Sequence, residues 1–130
     1  MDKVNSQKVI EKFLGLFPEY IDDYNEHLKD FGELLQHVFY SETINIPLVE
    51  LLKNNVDVTL IKKYIGFIEY MWSEGDDTVR NVVDVTILEN LSDYNDVWHS
   101  LDEYISSDFK EYINNEMLSE NCAMSHVDRL

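Results

Sequence analysis

From Val9 to Phe17 the apolar residues Val9, Ile10, Phe13, Leu14 and Phe17 recur at three- and four-residue steps. That spacing lines one face of an α-helix, and Ser6 is placed to cap its start. Pro18 suits the first turn of a second helix. Its inner stripe is Tyr20, Ile21, Tyr24, Leu28 and Phe31, its outer face Asp22, Asp23, Glu26 and Asp30, and Gly32 ends it. Glu33 to Tyr40 is apolar enough for a short helix. Ser41 to Pro47 has no helical period, carries two isoleucines flanking Asn45, and reads as a loop. A helix over Pro47 to Asn54 then stops at Asn54-Asn55.

The cleanest pattern follows. Leu60, Ile61, Tyr64, Ile65, Ile68, Met71 and Trp72 share one face from Val58 to Glu74, a four-turn helix with a continuous apolar seam. Glu74-Gly75-Asp76-Asp77 is the sharpest turn signal, with Gly75 as terminator and Asp76 or Asp77 as the next cap. The following segment carries Val79, Val82, Val83, Val85, Ile87, Leu88 and Leu91 on more than one face, which suits a central helix. Its valines suit a strand too, but Glu89-Asn90 interrupts any period of two. Ser92 or Asp93 caps another helix, with Val97, Trp98, Leu101, Tyr104 and Ile105 inward and Asp93, Asp96 and Glu103 outward. A last short helix runs from Asp108 to Leu118 on Phe109, Tyr112 and Ile113. The pattern predicts an all-α protein, a single compact, irregular bundle of about six or seven helices over 1–118, with a flexible tail over 119–130. The succession of short helices resembles helical-repeat proteins, although no sequence period repeats.

Composition supports a folded chain: of 130 residues, 45% are hydrophobic and 12% aromatic, enough for a real core. Cys122 is the only cysteine, so no disulfide closes within the chain. No apolar run approaches the roughly 18 residues of a membrane span, and the N-terminus lacks a signal core. A cytoplasmic protein with no membrane association is expected.

Charge changes the picture most. There are 26 Asp and Glu against 10 Lys and Arg, a net charge of -16. Residues 1–63 hold eleven acids and seven bases, whereas residues 64–130 hold fifteen acids and only Arg80, Lys110 and Arg129, so the halves carry -4 and -12. Phosphate binding needs clustered Lys and Arg, so nucleic acid is not expected as a direct ligand. A field of one sign speeds capture of an oppositely charged partner.

Catalytic and metal chemistry find little footing. His27, His37, His99 and His126 fall on different segments. Glu33 with His37, and Asp96 with His99, fit polar pairs on a helix surface better than a ligand set. Cys122 and His126 stand four apart, but two ligands do not close a zinc site. There is no nucleophile elbow, phosphate loop or dinucleotide fingerprint, and Asp22-Asp23 lacks the glycine and terminal glutamate of a calcium loop. No enzyme activity, no metal and no cofactor are expected.

What stands out is a collective arrangement. Asp76, Asp77, Asp84, Asp93, Asp96, Asp102 and Glu103 lie within 28 residues whose sole base is Arg80. Acids at helical spacing repel one another by a few tenths of a kcal/mol per pair. Solubility alone explains a charge run but not the near absence of bases. These acids are candidates for a partner-binding surface, with Tyr94 and Trp98 as aromatic anchors wherever they are exposed.

The segments Phe17-Pro18-Glu19-Tyr20, Asp22-Asp23-Tyr24, His27-Leu28, Gly32-Glu33-Leu34-Leu35 and His37-Val38-Phe39 resemble a family of small acidic all-α bacterial proteins of unassigned activity. Glu74-Gly75-Asp76-Asp77, Val79, Asn81-Val82 and Leu88-Glu89-Asn90-Leu91 are similar to its second half, so the resemblance covers residues 9–92. It implies a cytosolic protein often encoded as an immunity gene beside secreted toxins, including contact-dependent ones, and it carries over no catalytic residue. Charge and resemblance together lead to the expectation of an immunity protein, a monomer or weak dimer, that neutralises a basic nuclease toxin domain through its acidic surface. The alternative is an acidic adaptor or nucleic-acid-mimic regulator.

Overall fold

The structure, a computed structural model, describes residues 2–118, 124 and 127–130. Cys122 and His126 lie outside the described residues. Among those described there are seven helices and no strand, an all-α bundle. They are α1 Ser6–Leu16, α2 Ile21–Phe31, α3 over 36–54, α4 Val58–Glu74, α5 over 77–92, α6 Asn95–Ser100 and α7 over 107–117. Short 3-10 turns at Pro18–Tyr20 and Leu101–Glu103 join or extend them.

Three helices contain a π turn: Ser41–Asn45 in α3, Val83–Leu88 in α5 and Ile113–Met117 in α7. The first corrects the expectation of a loop over Ser41 to Pro47. The backbone stays helical through both junctions, at φ -59°, ψ -41° for Ser41 and φ -57°, ψ -54° for Ile46. A π turn adds a residue to the turn, so the 3.6-residue apolar period breaks although the helix does not. Asn45 is thereby buried at 1% exposure, while Ile46 beside it is 62% exposed.

The core is built around aromatic rings. Phe13 lies 4.9 Å from Phe17, 5.1 Å from Phe67 and 5.5 Å from Tyr40, centroid to centroid, so α1, α3 and α4 meet on one side chain. Val79, Val82, Val83, Ile87, Leu88 and Leu91 are all buried, which makes α5 central as its pattern predicts. The bounds of α4 match their expected residues, and Asp76 caps α5 by accepting from the Val79 amide at 3.0 Å.

Other local expectations need correction. Asn5, not Ser6, caps α1, its side chain accepting from the Lys8 amide at 3.0 Å. In α2, Ile21 and Phe31 are 43% and 49% exposed, and the buried residue is His27. Its Nε2 accepts from the Leu35 amide at 2.9 Å, so an imidazole closes the α2–α3 connection where the pattern placed hydrocarbon. No side chain caps α6, which begins after extended Tyr94 rather than at Ser92 or Asp93.

Gly75 joins α4 to α5 in a crowded corner. The N-terminal strand-like residue Val4 is clamped there, its amide donating to the Glu74 carbonyl at 2.8 Å and its carbonyl accepting from the Asp76 amide at 2.9 Å. A Cβ on Gly75 would stand 2.4 Å from the Met71 carbonyl oxygen and 2.4 Å from a Val79 methyl. Gly75→Ala is therefore expected to cost about 2 kcal/mol or more in urea unfolding, the upper range for overpacking. An unchanged midpoint would mean that the corner yields freely.

Candidate functional site

The turn after α5 sets the site. Asp93 and Tyr94 donate their amides back to Asn90 and Leu91, at 3.1 and 3.2 Å, and the extended Tyr94 then accepts from the Trp98 amide at 2.8 Å. With Val97, Trp98 and Leu101 buried, the three- and four-residue spacing turns Asp93, Asp96 and Glu103 outward to exposure. α6 packs against the C-terminal half of α3. Between them opens a cleft of about 600 Å³, walled by Leu52, Lys53 and Asn55 on one side and by Tyr94, Asp96, Val97, Ser100 and Glu103 on the other.

Three of the nine candidate residues, Tyr94, Asp96 and Glu103, thus line one cavity, with exposed Asp93 beside it. Tyr94 is 38% exposed, and the Lys53 ammonium sits 4.4 Å from its ring centroid. The ring face already holds one cation. Asp102 is exposed next to Glu103 but pairs with Lys110.

The remaining candidates fall elsewhere. Asp76 is the α5 cap and Asp77 the first residue of α5, about 20 Å of helix away from Asp93. Trp98 does not meet the exposure that an anchor needs: it is 1% exposed, and its indole donates to the Asp128 carbonyl at 2.8 Å. The described C-terminal residues also hold Leu130, whose amide donates to Asn114 Oδ1 at 2.8 Å. His99, read as a partner of Asp96, lies 3.2 Å from Asp128, and His37 Nδ1 lies 2.6 Å from the Thr86 hydroxyl.

Asp84 is half-buried and engaged within the fold. It accepts from the Tyr112 hydroxyl at 2.8 Å, and burial raises its pKa above the ordinary carboxylate value against the opposing pull of that hydrogen bond and of Arg80. Burial, and then the hydrogen bond and charge of Asp84, push Tyr112 up to about 12. A carboxyl whose folded pKa is raised favours the fold below its unfolded pKa and loses that contribution as pH rises through the folded value. Asp84→Asn keeps an acceptor for Tyr112 and removes the half-buried charge. It is expected to match or exceed the parent in urea stability at pH 7, with the difference vanishing at acid pH. A clear loss at pH 7 would rank the attraction of Arg80 above burial.

All three bases of the acidic half are engaged within the fold. Arg80 lies 5.5 Å from the Tyr112 ring centroid, Lys110 pairs with Asp102, and Arg129 donates to the Asn114 carbonyl at 3.2 Å. In the cleft wall itself Lys53 of α3 stands against the carboxylates of Asp96 and Glu103. Sequence reasoning missed the α3 wall, Leu52, Lys53 and Asn55, because nothing local pairs residues 52–55 with 94–103. The one available signal was Asn45, a polar residue between isoleucines, on the helix that forms this wall.

Among the described residues no helix is long and apolar enough to cross a membrane, and no three His, Cys, Asp or Glu side chains group as metal ligands. Comparison with curated proteins and with solved structures found no match. Residues 10–119 match DUF7674, a domain of unknown function, and the chain belongs to that family.

Proposed function

We propose that this protein is an immunity protein, which binds a basic toxin domain through the acidic face around the α3–α6 cleft and blocks it. The observation that carries this reading is the exposure of Asp93, Asp96 and Glu103 around a cleft whose wall holds one base, Lys53, already set over the Tyr94 ring. A nuclease must present Lys and Arg to phosphate, so a surface of clustered carboxylates competes for the same groups. Covering an active site requires no chemistry from the inhibitor. The resemblance of residues 9–92 to a family of small acidic all-α bacterial proteins of unassigned activity, often encoded beside secreted toxins, supports the same reading. Its compartment is the cytoplasm, where a nuclease toxin meets its substrate.

The test is co-expression with basic nuclease toxin domains from the same genome. Cells carrying this protein are expected to survive the toxin, and survival is expected to fail with Asp93, Asp96 and Glu103 all reversed. Absence of protection by the wild-type protein would overturn the proposal. Recovery of a DNA-binding regulator as its sole partner would favour the adaptor instead.

A further inference from the structure

A second pocket, of about 170 Å³, adjoins the cleft, and the two share Lys53 and Tyr94 as walls. It opens beside the π turn Ser41–Asn45, where hydropathy and burial are inverted. Asn45 is 1% exposed and its amide donates to the Ile87 carbonyl of α5 at 3.1 Å, whereas Ile46, next in the chain and lining the same pocket, is 62% exposed. Among the described residues no large apolar side chain is more exposed than Ile46. A single surface isoleucine needs no explanation. A polar residue set inside and an apolar one outside, however, run against the local pattern, and natural chains keep such exceptions at functional sites. π turns inside helices concentrate there too.

The pocket's own groups narrow what it can take. The Asn45 amide is committed to Ile87, and the Lys53 ammonium lies 4.4 Å from the Tyr94 ring centroid. What remains open is hydrocarbon, Ile46 with Val49 and Tyr94 in the same walls. Around it stand exposed Glu50, Asp93, Asp96 and Glu103, four carboxylates against the one ammonium of Lys53. An apolar centre inside a charged rim is how protein–protein contacts are built: the rim steers the partner in, and the centre holds it. This rim is acidic and fits a basic partner, whereas a second copy of this chain, at a net charge of -16, is repelled. We propose that Ile46, backed by Val49 and Tyr94, is the apolar anchor of the docking face and receives an apolar side chain that the basic partner carries among its Lys and Arg. The inference rests on the immunity reading for its partner and adds the group that governs release.

The probe is whichever purified basic nuclease toxin domain of the same genome the wild-type chain binds. Association and dissociation rates are measured at several salt concentrations for the wild type, Ile46→Ala and Ile46→Glu, with circular dichroism as a check on folding. Ile46 is exposed, so both variants keep the core. Ile46→Ala is expected to dissociate about tenfold faster while its association rate and salt dependence stay as in the wild type. Ile46→Glu separates the anchor from the field. Its added carboxylate makes association with a basic partner at least as fast, and charge alone would make the complex tighter; the anchor requires dissociation about tenfold faster or more. Wild-type dissociation rates in both variants would overturn the anchor and leave the immunity reading standing. So would a wild-type dimer in sedimentation that Ile46→Glu splits, because a second copy would then be the occupant. Binding of no such domain by the wild type would overturn the immunity reading and the anchor with it.

Discussion

Reversing Asp93, Asp96 and Glu103 together to Lys is expected to slow capture of the basic toxin domain by about ten- to a hundredfold at low salt, the range that electrostatic steering supplies. Three reversals of two charges each take the net charge from -16 to -10. The loss therefore comes mainly from where the charges sit, on the rim and wall of one cleft, and less from the total. All three side chains are exposed, so the variant keeps its core. Stopped-flow association at several salt concentrations, with circular dichroism as a check on folding, reads the effect. The wild-type rate should fall steeply as salt rises, and the variant's should not. A folded variant that captures at the wild-type rate would move the interface away from the cleft.

The largest expected effect on stability is at Phe13. Its ring is fully buried and meets Phe17, Phe67, Tyr40, Tyr20 at 5.7 Å and Phe39 at 5.9 Å, so four separate segments converge on it. Phe13→Ala is expected to cost about 3–5 kcal/mol, the transfer loss of the ring plus the cavity left behind. For a domain of this size that is a large part of the whole stability. Equilibrium urea unfolding checks it. A loss below about 1 kcal/mol would mean that the surrounding rings collapse into the space, and that the core is less rigidly keyed than its ring contacts imply.

Much of the bundle is legible wherever local signals agree. In α4 the apolar seam, the Gly75 terminator and the Asp76 cap coincide within twenty residues, and both its bounds and its buried face follow from them. Ile61, Tyr64, Ile65, Ile68 and Met71 are buried as the period requires, and Phe67 joins them by reaching Phe13 from the flank of the stripe. The period fails where backbone or partner breaks its premise. The π turn in α3 widens the helix at Asn45, so a period of 3.6 finds no continuation there although the chain never leaves the helix. His27 is buried because it accepts from the Leu35 amide, a bond across the α2–α3 connection that hydropathy does not encode.

The same division runs through the candidate site. Asp93, Asp96 and Glu103 face outward as their spacing predicts, since Val97, Trp98 and Leu101 occupy the inner positions. Which acids share a surface is a tertiary matter. Asp76 and Asp77 sit at the far end of α5, and Asp84 turns in to Tyr112. Trp98 spends its indole on the Asp128 carbonyl, thirty residues on in the chain. The opposite wall comes from α3, which the sequence does not connect to α6 by any local signal.

The most direct test of the acidic docking face is a paired pull-down from the protein's own cells, with the wild type and the Asp93, Asp96 and Glu103 triple reversal as baits. Bound proteins are eluted by raising salt and identified by mass spectrometry. The account predicts one basic toxin domain that stays on the wild type at low salt, leaves at high salt and is missing from the reversed bait. The same partner held equally by both baits, or one indifferent to salt, would contradict it.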